Sequence, residues 1–357
     1  MSEAFSPTER VALAPYTTFE LGGEADFFVE ARDRATFDAA LCWANANGQP
    51  VHVLGGGSNV IVPDDGVRGL VIRLAFSEIE WRNEARVIVS AGYEWNAFVA
   101  LAVSRGLQGI ECLAGIPGTV GATPIQNVGA YGQQVSDVIA HVEVIDRQTL
   151  QSKSLAPDEC EFSYRNSVFK ANPDRYFVTA VEFELKPNAP PLRTYAEVRD
   201  NTSSKASLSE VRDTVLRLRG SKSMLVDRDD PNHRNAGSFF TNPIVDDAVA
   251  SEIRRCAVER GFVKNPNDVP SWPDGTHTKL SAGWLIERSG FQKGNRHGAF
   301  GISTKHALCL VHYGGGSSRE LLEFADKIAR SVKTEWSVAL DREPRIFGKH
   351  DLDSIAT

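Results

Sequence analysis

The residue combinations most able to do chemistry sit in short segments far apart in the chain. Gly55, Gly56, Gly57, Ser58 and Asn59 follow the apolar run Pro50–Leu54. Glycines at such a place let backbone N–H groups approach a pyrophosphate, as an anion-binding nest does, although a plain turn has the same composition. No Gly-Lys-Ser/Thr follows, so this is not a P-loop. Val60–Val62 continues as strand, where a dinucleotide-binding GxGxxG loop would open a helix. A second stretch, Gly109–Gly132, is dense in glycine yet carries Ile, Leu and Val throughout. It is too apolar for a surface loop. It reads as ordered backbone against a ligand, or as a buried irregular connection. Two such loops suit a long ligand with a diphosphate, such as FAD.

Three polar segments carry side-chain chemistry. Arg165 stands beside Tyr164 in Phe162–Ser167, where a lone arginine is most simply a surface residue. Ser238 follows Gly237 and opens the apolar segment Phe239–Phe240; its hydroxyl is held at an ordered site or serves as a helix cap. Asp341-Arg342-Glu343-Pro344-Arg345 interleaves carboxylates with arginines, which by itself is a solvated ion-pair cluster. The histidines show neither HxxxH nor HExxH, and the five cysteines are scattered singly with no CxxC pair. That excludes the common zinc patterns and reads as buried free thiols in a reducing cytoplasm.

The elements that must position these groups follow from periodicity. Ala25–Ala31 is a short strand. Asp33 then caps a helix to about Asn47, with Phe37, Ala40, Leu41 and Ala44 on one face. Strands at Pro50–Leu54, Val60–Val62 and Gly69–Leu74 complete a β-α-β unit. Further strands are expected at Ile79–Trp81, Arg86–Ser90, His141–Asp146 and Tyr176–Lys186, with a helix over Glu94–Arg105. A Ser207/Glu210 capping box precedes a helix over Val211–Arg219. The polar stretch Gly220–Asn235 is the best domain boundary. Beyond it come helices near Asp247–Arg260, Ala282–Ser289 and Ser318–Thr334 and a strand over His306–His312.

At 357 residues the chain has room for two or three domains. Its 42% apolar and 24% charged content is that of a globular mixed α/β protein. With 39 basic against 46 acidic residues the net charge is −7, so there is no global basic field for nucleic acid. No apolar run is long enough to span a membrane, and the N-terminus lacks a signal-peptide core.

Taken in order, the motifs resemble one family. They are Gly55–Asn59 (GGGSN), Gly115–Gly132 (GIPGTVGATPIQNVGAYG), Phe162–Lys170 (FSYRNSVFK), Ala236–Pro243 (AGSFFTNP), Lys279–Gly290 (KLSAGWLIERSG) and a terminal Glu343-x-Arg345-x-x-Gly348. In register from about Thr17 to Gly348, they resemble the UDP-N-acetylenolpyruvoylglucosamine reductases. Tyr195 within Leu192–Tyr195 is similar to the form of that family with a substrate-gripping tyrosine loop, type I. The resemblance implies an α/β (α+β) fold: a two-lobed FAD-binding region of the vanillyl-alcohol-oxidase type plus a separate C-terminal α/β substrate domain. The corresponding segments are 1–75, 76–218, 219–340 and a returning strand and tail, 341–357.

It further implies noncovalent FAD, NADPH as hydride donor, and reduction of the enolpyruvyl ether of UDP-N-acetylglucosamine to UDP-N-acetylmuramate for peptidoglycan. The enzyme would be a cytoplasmic monomer, with no nucleic-acid, membrane or metal partner. By motif position the resemblance assigns catalysis to Arg165, Ser238 and Glu343, with Asp341 the weaker alternative to Glu343. FAD contacts fall to Gly55, Gly56, Gly57, Ser58, Asn59, Gly115, Ile116, Pro117, Gly118, Thr119, Gly121 and Arg345. Substrate contacts fall to Tyr131, Tyr195, Lys222 and Asn242. A flavin oxidase of the same superfamily is the nearest alternative; many of those tether flavin through histidine, and none lies in or just after Gly55–Asn59 (His52 precedes it). A nucleotide-sugar-binding module without redox activity would not need Arg165, Ser238 and Glu343 together.

Overall fold

The computed structural model describes residues 5–348, so residues 1–4 and 349–357 of the outermost expected segments lie outside the described residues. Two sheets carry the first part of the chain. Thr8–Ala12, Glu24–Ala31, Val67–Leu74 and Val51–Leu54 lie in that spatial order. The last three run parallel, and Thr8–Ala12 pairs antiparallel at the edge. Val67–Leu74 is buried almost throughout, as a central parallel strand covered on both faces must be. The helix Arg34–Ala46 crosses between Glu24–Ala31 and Val51–Leu54. Asp33 accepts the Thr36 N–H at 2.7 Å, a cap that stabilises a helix by about 1 kcal/mol. Its buried face is Phe37, Ala40, Leu41 and Ala44, as its periodicity implied.

The second sheet is antiparallel: Ser152–Leu155, Ile139–Asp146, Tyr176–Glu184, Arg86–Ser90, Ile79–Trp81. One apolar core, from Ala31 to Leu218, fills the space between the two sheets, with Phe37 edge-on to Phe177 at 5.9 Å. The helix Leu208–Gly220 packs on the same core and begins three residues earlier than the sequence reading placed it. The Ser207/Glu210 capping box fixes that start, because its hydroxyl bonds the amide of Glu210 itself.

A second core gathers Phe239, Phe240, Leu280, Leu285, Phe300, Leu310, Phe324, Ile328 and Trp336 beneath the helices Asp247–Glu259, Ala282–Arg288 and Ser318–Trp336. Contacts with the segment between Leu54 and Val67 help to bind this part to the first. Asp64 accepts the N–H groups of Ser318 and Arg319 at 2.7 and 3.0 Å, capping the longest helix from across the fold. Arg345–Ile346 then returns to pair parallel with Val60–Ile61.

Two expectations need correction. The strand expected over His306–His312 is confined to Leu310–His312, because Cys309 N–H bonds back to the His306 carbonyl and makes a turn. Tyr176–Lys186 breaks at Glu184, and Lys186–Pro187 pairs instead with Leu107–Gln108.

Candidate active site

A cleft of about 560 Å³ runs between the two glycine-rich loops and the second core. Its floor is backbone. Ser58 Oγ donates to the Pro117 carbonyl at 3.1 Å and bridges the loops. A Cβ on Gly56 would stand 2.7 Å from Gly118 Cα, and one on Gly57, whose φ is +64°, 1.9 Å from the Tyr16 carbonyl oxygen. Only glycine lets these turns nest so closely. Their main chains form a concave wall of the kind that receives a diphosphate. Gly55–Asn59, Ile116–Thr119 and Gly121 all line it.

The polar centre is assembled by the returning C-terminal segment. Phe240 and Arg342 form an antiparallel bridge, Thr241 N–H donates to the Asp341 carbonyl and Glu343 N–H to the Phe239 carbonyl. Arg345 N–H then donates to the Asn59 carbonyl. One short stretch is thereby stitched to the segment after Ser238 and to the first glycine loop, so Ser238, Glu343 and Arg345 line one cleft. Asp341 is exposed and outside the lining, which leaves Glu343 as the carboxyl in place.

Arg165 enters from the second sheet's side on a tight turn, with Ser163 and Asn166 paired across it and φ +53° at the arginine itself. Lys170 Nζ donates to its carbonyl, and its Nη2 donates to the Gly129 carbonyl at 2.8 Å. Arg165 Nε lies 3.4 Å from Glu343 Oε1, with the side chains 24% and 13% exposed. Gln126 Nε2 donates to the same oxygen at 3.2 Å. Burial pushes the Glu343 carboxyl above the usual range, against the pull of Arg165, Lys170 and Gln126. In its protonated form a carboxyl there is a hydrogen-bond donor beside a guanidinium fork.

The opposite wall is made of side chains already paired with one another. Lys222 Nζ donates to Glu197 Oε2 at 2.6 Å and lies 5.5 Å from the Tyr131 ring centroid. Tyr131 and Tyr195 meet edge-to-face at 5.5 Å. Burial pushes the Tyr131 hydroxyl up to about 12, so it stays a donor. The cleft lining also includes Arg219, His306 and Gln126, which sequence reasoning did not single out. From sequence, Arg219 is only the end of an expected helix. In the structure it is 8% exposed, bonded through Nη2 to the Met224 carbonyl, with burial lowering its pKa to about 10.

Two residues selected from sequence lie elsewhere. Gly115 turns at φ +72° behind the loop, its absent Cβ facing Leu225 and Leu216. Asn242 has a structural contact: its Oδ1 accepts the Ala282 N–H at 3.0 Å at the start of a helix. Neither lines the cleft.

Comparison with known proteins places this geometry among relatives. A family model described as "FAD binding domain" matches residues 25–149. One described as "UDP-N-acetylenolpyruvoylglucosamine reductase, C-terminal domain" matches residues 229–347. A UDP-N-acetylenolpyruvoylglucosamine reductase of Thermobifida fusca is 44% identical over 95% of this chain and 97% of its own. One of Xanthomonas axonopodis pv. citri is 42% identical over 96% and 97%. The crystal structure of the Thermus caldophilus reductase of that name superposes with a TM-score of 0.65 at 28% identity, covering 96% of this chain and all of that one.

Proposed function

The chain belongs to the UDP-N-acetylenolpyruvoylglucosamine reductase family, and from that premise we propose which of its residues carry the reaction. The enzyme is a flavin-dependent oxidoreductase of peptidoglycan precursor synthesis. With NADPH it reduces the enolpyruvyl ether of UDP-N-acetylglucosamine to the lactyl ether of UDP-N-acetylmuramate. FAD, when bound, takes hydride from NADPH and supplies it to the carbon–carbon double bond. Gly55–Asn59, Ile116–Thr119, Gly121 and Arg345 would hold it. The backbone-to-backbone fit of Gly56 on Gly118 supports that assignment.

Hydride addition at C3 of the enolpyruvyl group leaves negative charge spread over C2 and its carboxylate. Charge of that kind is costly unless preorganised donors face it. Arg165 grips the carboxylate, its fork matching two oxygens. Glu343, whose carboxyl burial pushes above the usual range, hydrogen-bonds the same developing anion. Ser238 delivers the proton to C2. A serine hydroxyl is a weak acid and acts here only because the carbanionic centre is strongly basic. The observation that carries this reading is the stitching of residues 341–345 onto Phe239 and Asn59, which brings the serine, glutamate and arginine to one cleft.

We assign the UDP diphosphate to Lys222 and Tyr195, with Tyr131 lining the approach. Tyr195 marks the tyrosine-loop form of the family. We also propose the division into FAD-binding lobes 1–75 and 76–218, substrate domain 219–340 and returning tail 341–357. The enzyme is read as a cytoplasmic monomer with no membrane or nucleic-acid partner. A net charge of −7 supports the reading that nucleic acid is no partner, and no helix among the described residues is long and apolar enough to cross a membrane.

The test is a single turnover of Ser238→Ala. Bleaching of the flavin by NADPH stays within about twofold of the parent, while recovery on adding the enol ether slows by about 10²–10⁴-fold. Recovery at the parental rate removes Ser238 from the proton transfer.

A further inference from the structure

Asn235 is buried just upstream of Ser238, and its side-chain amide joins three segments of the chain. Nδ2 donates to the Ser223 carbonyl at 3.0 Å and to the Asn232 carbonyl at 2.6 Å. Oδ1 accepts the Gly237 N–H at 2.7 Å. Both amide hydrogens and the oxygen are thereby used inside the protein, and a buried polar group satisfied in this way is held in one orientation. Ser223 follows Lys222 directly and sits at φ +57°, so one arm of the amide reaches the turn after the lysine. Gly237, at φ +71°, immediately precedes the serine, so the other arm reaches the turn that presents Ser238.

The support beneath Asn235 is itself fixed. Asn232 is fully buried; its Oδ1 accepts the Thr304 N–H and the Tyr313 hydroxyl, each at 3.2 Å, and its Nδ2 donates to Asp230 Oδ1 at 3.0 Å. Lys305 Nζ donates to the second oxygen of Asp230 at 2.8 Å. The linker before the serine is thus tied to Thr304, Lys305 and Tyr313, and Asn235 carries that fixed point to Gly237. On the far side of the serine, the Phe239 N–H donates to the Leu308 carbonyl at 2.8 Å. The amides flanking Ser238 are therefore both held. A serine side chain has one heavy-atom torsion, so a fixed backbone leaves its hydroxyl only the staggered positions about that bond.

We propose that Asn235 is a positioning residue for the proton transfer: by holding the Gly237 amide against a buried, fully bonded support, it aims the Ser238 hydroxyl at the reacting carbon. The inference rests on the assignment of Ser238 as the proton donor. A weak acid such as serine depends on placement, because a small displacement costs it the alignment on which its transfer relies.

Single-turnover reoxidation of the NADPH-reduced, FAD-loaded enzyme by the enol ether is the measurement. In Asn235→Ala, bleaching by NADPH is expected within about twofold of the parent and reoxidation slowed by about 10–100-fold, the loss that a misplacement near 1 Å produces. Asn235→Asp keeps the acceptor for the Gly237 N–H and gives up the two donors, so its reoxidation should stay within about fivefold of the parent. Asn235→Ala is then combined with Ser238→Ala. A residue that acts through the serine has nothing left to position there, so the added substitution should slow Ser238→Ala by less than about twofold. Parental reoxidation in Asn235→Ala overturns the proposal, and so does a loss that adds in full to that of Ser238→Ala. Equal loss in Asn235→Asp and Asn235→Ala overturns it as well, since the Gly237 contact would not be the one that counts. Loss of flavin from Asn235→Ala, or equal slowing of both half-reactions, overturns it too, because the amide would then hold up the cleft as a whole. Ser238→Ala alone isolates the underlying assignment: if it reoxidises at the parental rate, that assignment falls and takes the proposal with it.

Discussion

The two walls of the cleft are built from different materials. The wall proposed to hold the cofactor is main chain against main chain: Gly56 packs on Gly118, Gly57 on Tyr16, and Ser58 ties one loop to the other. The opposite wall is side chain against side chain: Lys222 on Glu197, Tyr131 on Tyr195, Arg219 on the Met224 carbonyl. A backbone cradle is rigid and selects by shape. A wall of mutually paired side chains must exchange partners to admit a charged ligand, and each exchange costs a contact already made. A cofactor that stays and ligands that come and go suit that division.

The comparison breaks most sharply at Gly57. Both its φ of +64° and a Cβ 1.9 Å from a carbonyl oxygen forbid a side chain, whereas Gly237 at φ +71° has nothing within 4 Å of its Cβ position. Gly57→Ala should yield protein without bound flavin. Gly237→Ala should retain flavin and lose only about 1–2 kcal/mol from the left-handed backbone. The ratio of flavin to protein absorbance and the Tm of the two variants measure this; flavin retained by Gly57→Ala would mean the loop is not a cradle.

Glu343 sits where the walls meet and gives a pH signature. Its folded pKa lies above the free carboxyl value of about 4.3. Between those two values the unfolded chain binds fewer protons than the native one, so stability falls as pH rises through that window. The substrate half-reaction should weaken over the same rise, because an ionised Glu343 no longer donates. Glu343→Gln keeps a donor, should lose this limb of the pH profile, and should run slower throughout. A limb that persists in the variant belongs to another group.

The smallest effect is expected from Glu197→Gln. It frees Lys222 from a half-exposed ion pair, a contact usually worth under about 1 kcal/mol, so KM for the enol ether should fall by no more than about fivefold. A rise in KM would show that Glu197 positions the lysine and does not compete for it.

These materials also decide what the sequence could reveal. The backbone cradle was legible, because glycines clustered after an apolar strand have few other uses. The helix over Arg34–Ala46 and its buried face were legible because one side is apolar at helical spacing and Asp33 caps it. The edge strand Thr8–Ala12 was missed, as it is exposed almost throughout and carries no alternation. The pairing of Arg345–Ile346 with Val60–Ile61 spans most of the chain and leaves no local trace. Arg165, Ser238 and Glu343 were singled out through their shared motif register; spacing alone would have left each a surface or capping residue. Asn242 came from the same register, and its Oδ1 accepts the N–H at a helix start, a contact that no spacing announces. Arg219 and His306 gave no signal, since burial of a lone cation or imidazole is decided by distant packing.

The central claim is that one cleft serves two half-reactions in turn. Its most direct test is the visible spectrum of the anaerobic enzyme, recorded first as isolated, then with NADPH, then with UDP-N-acetylglucosamine enolpyruvate. Flavin bands that bleach with NADPH and return with the enol ether are the expected result. Bands that bleach but return only when oxygen is admitted would contradict the account and point to an oxidase.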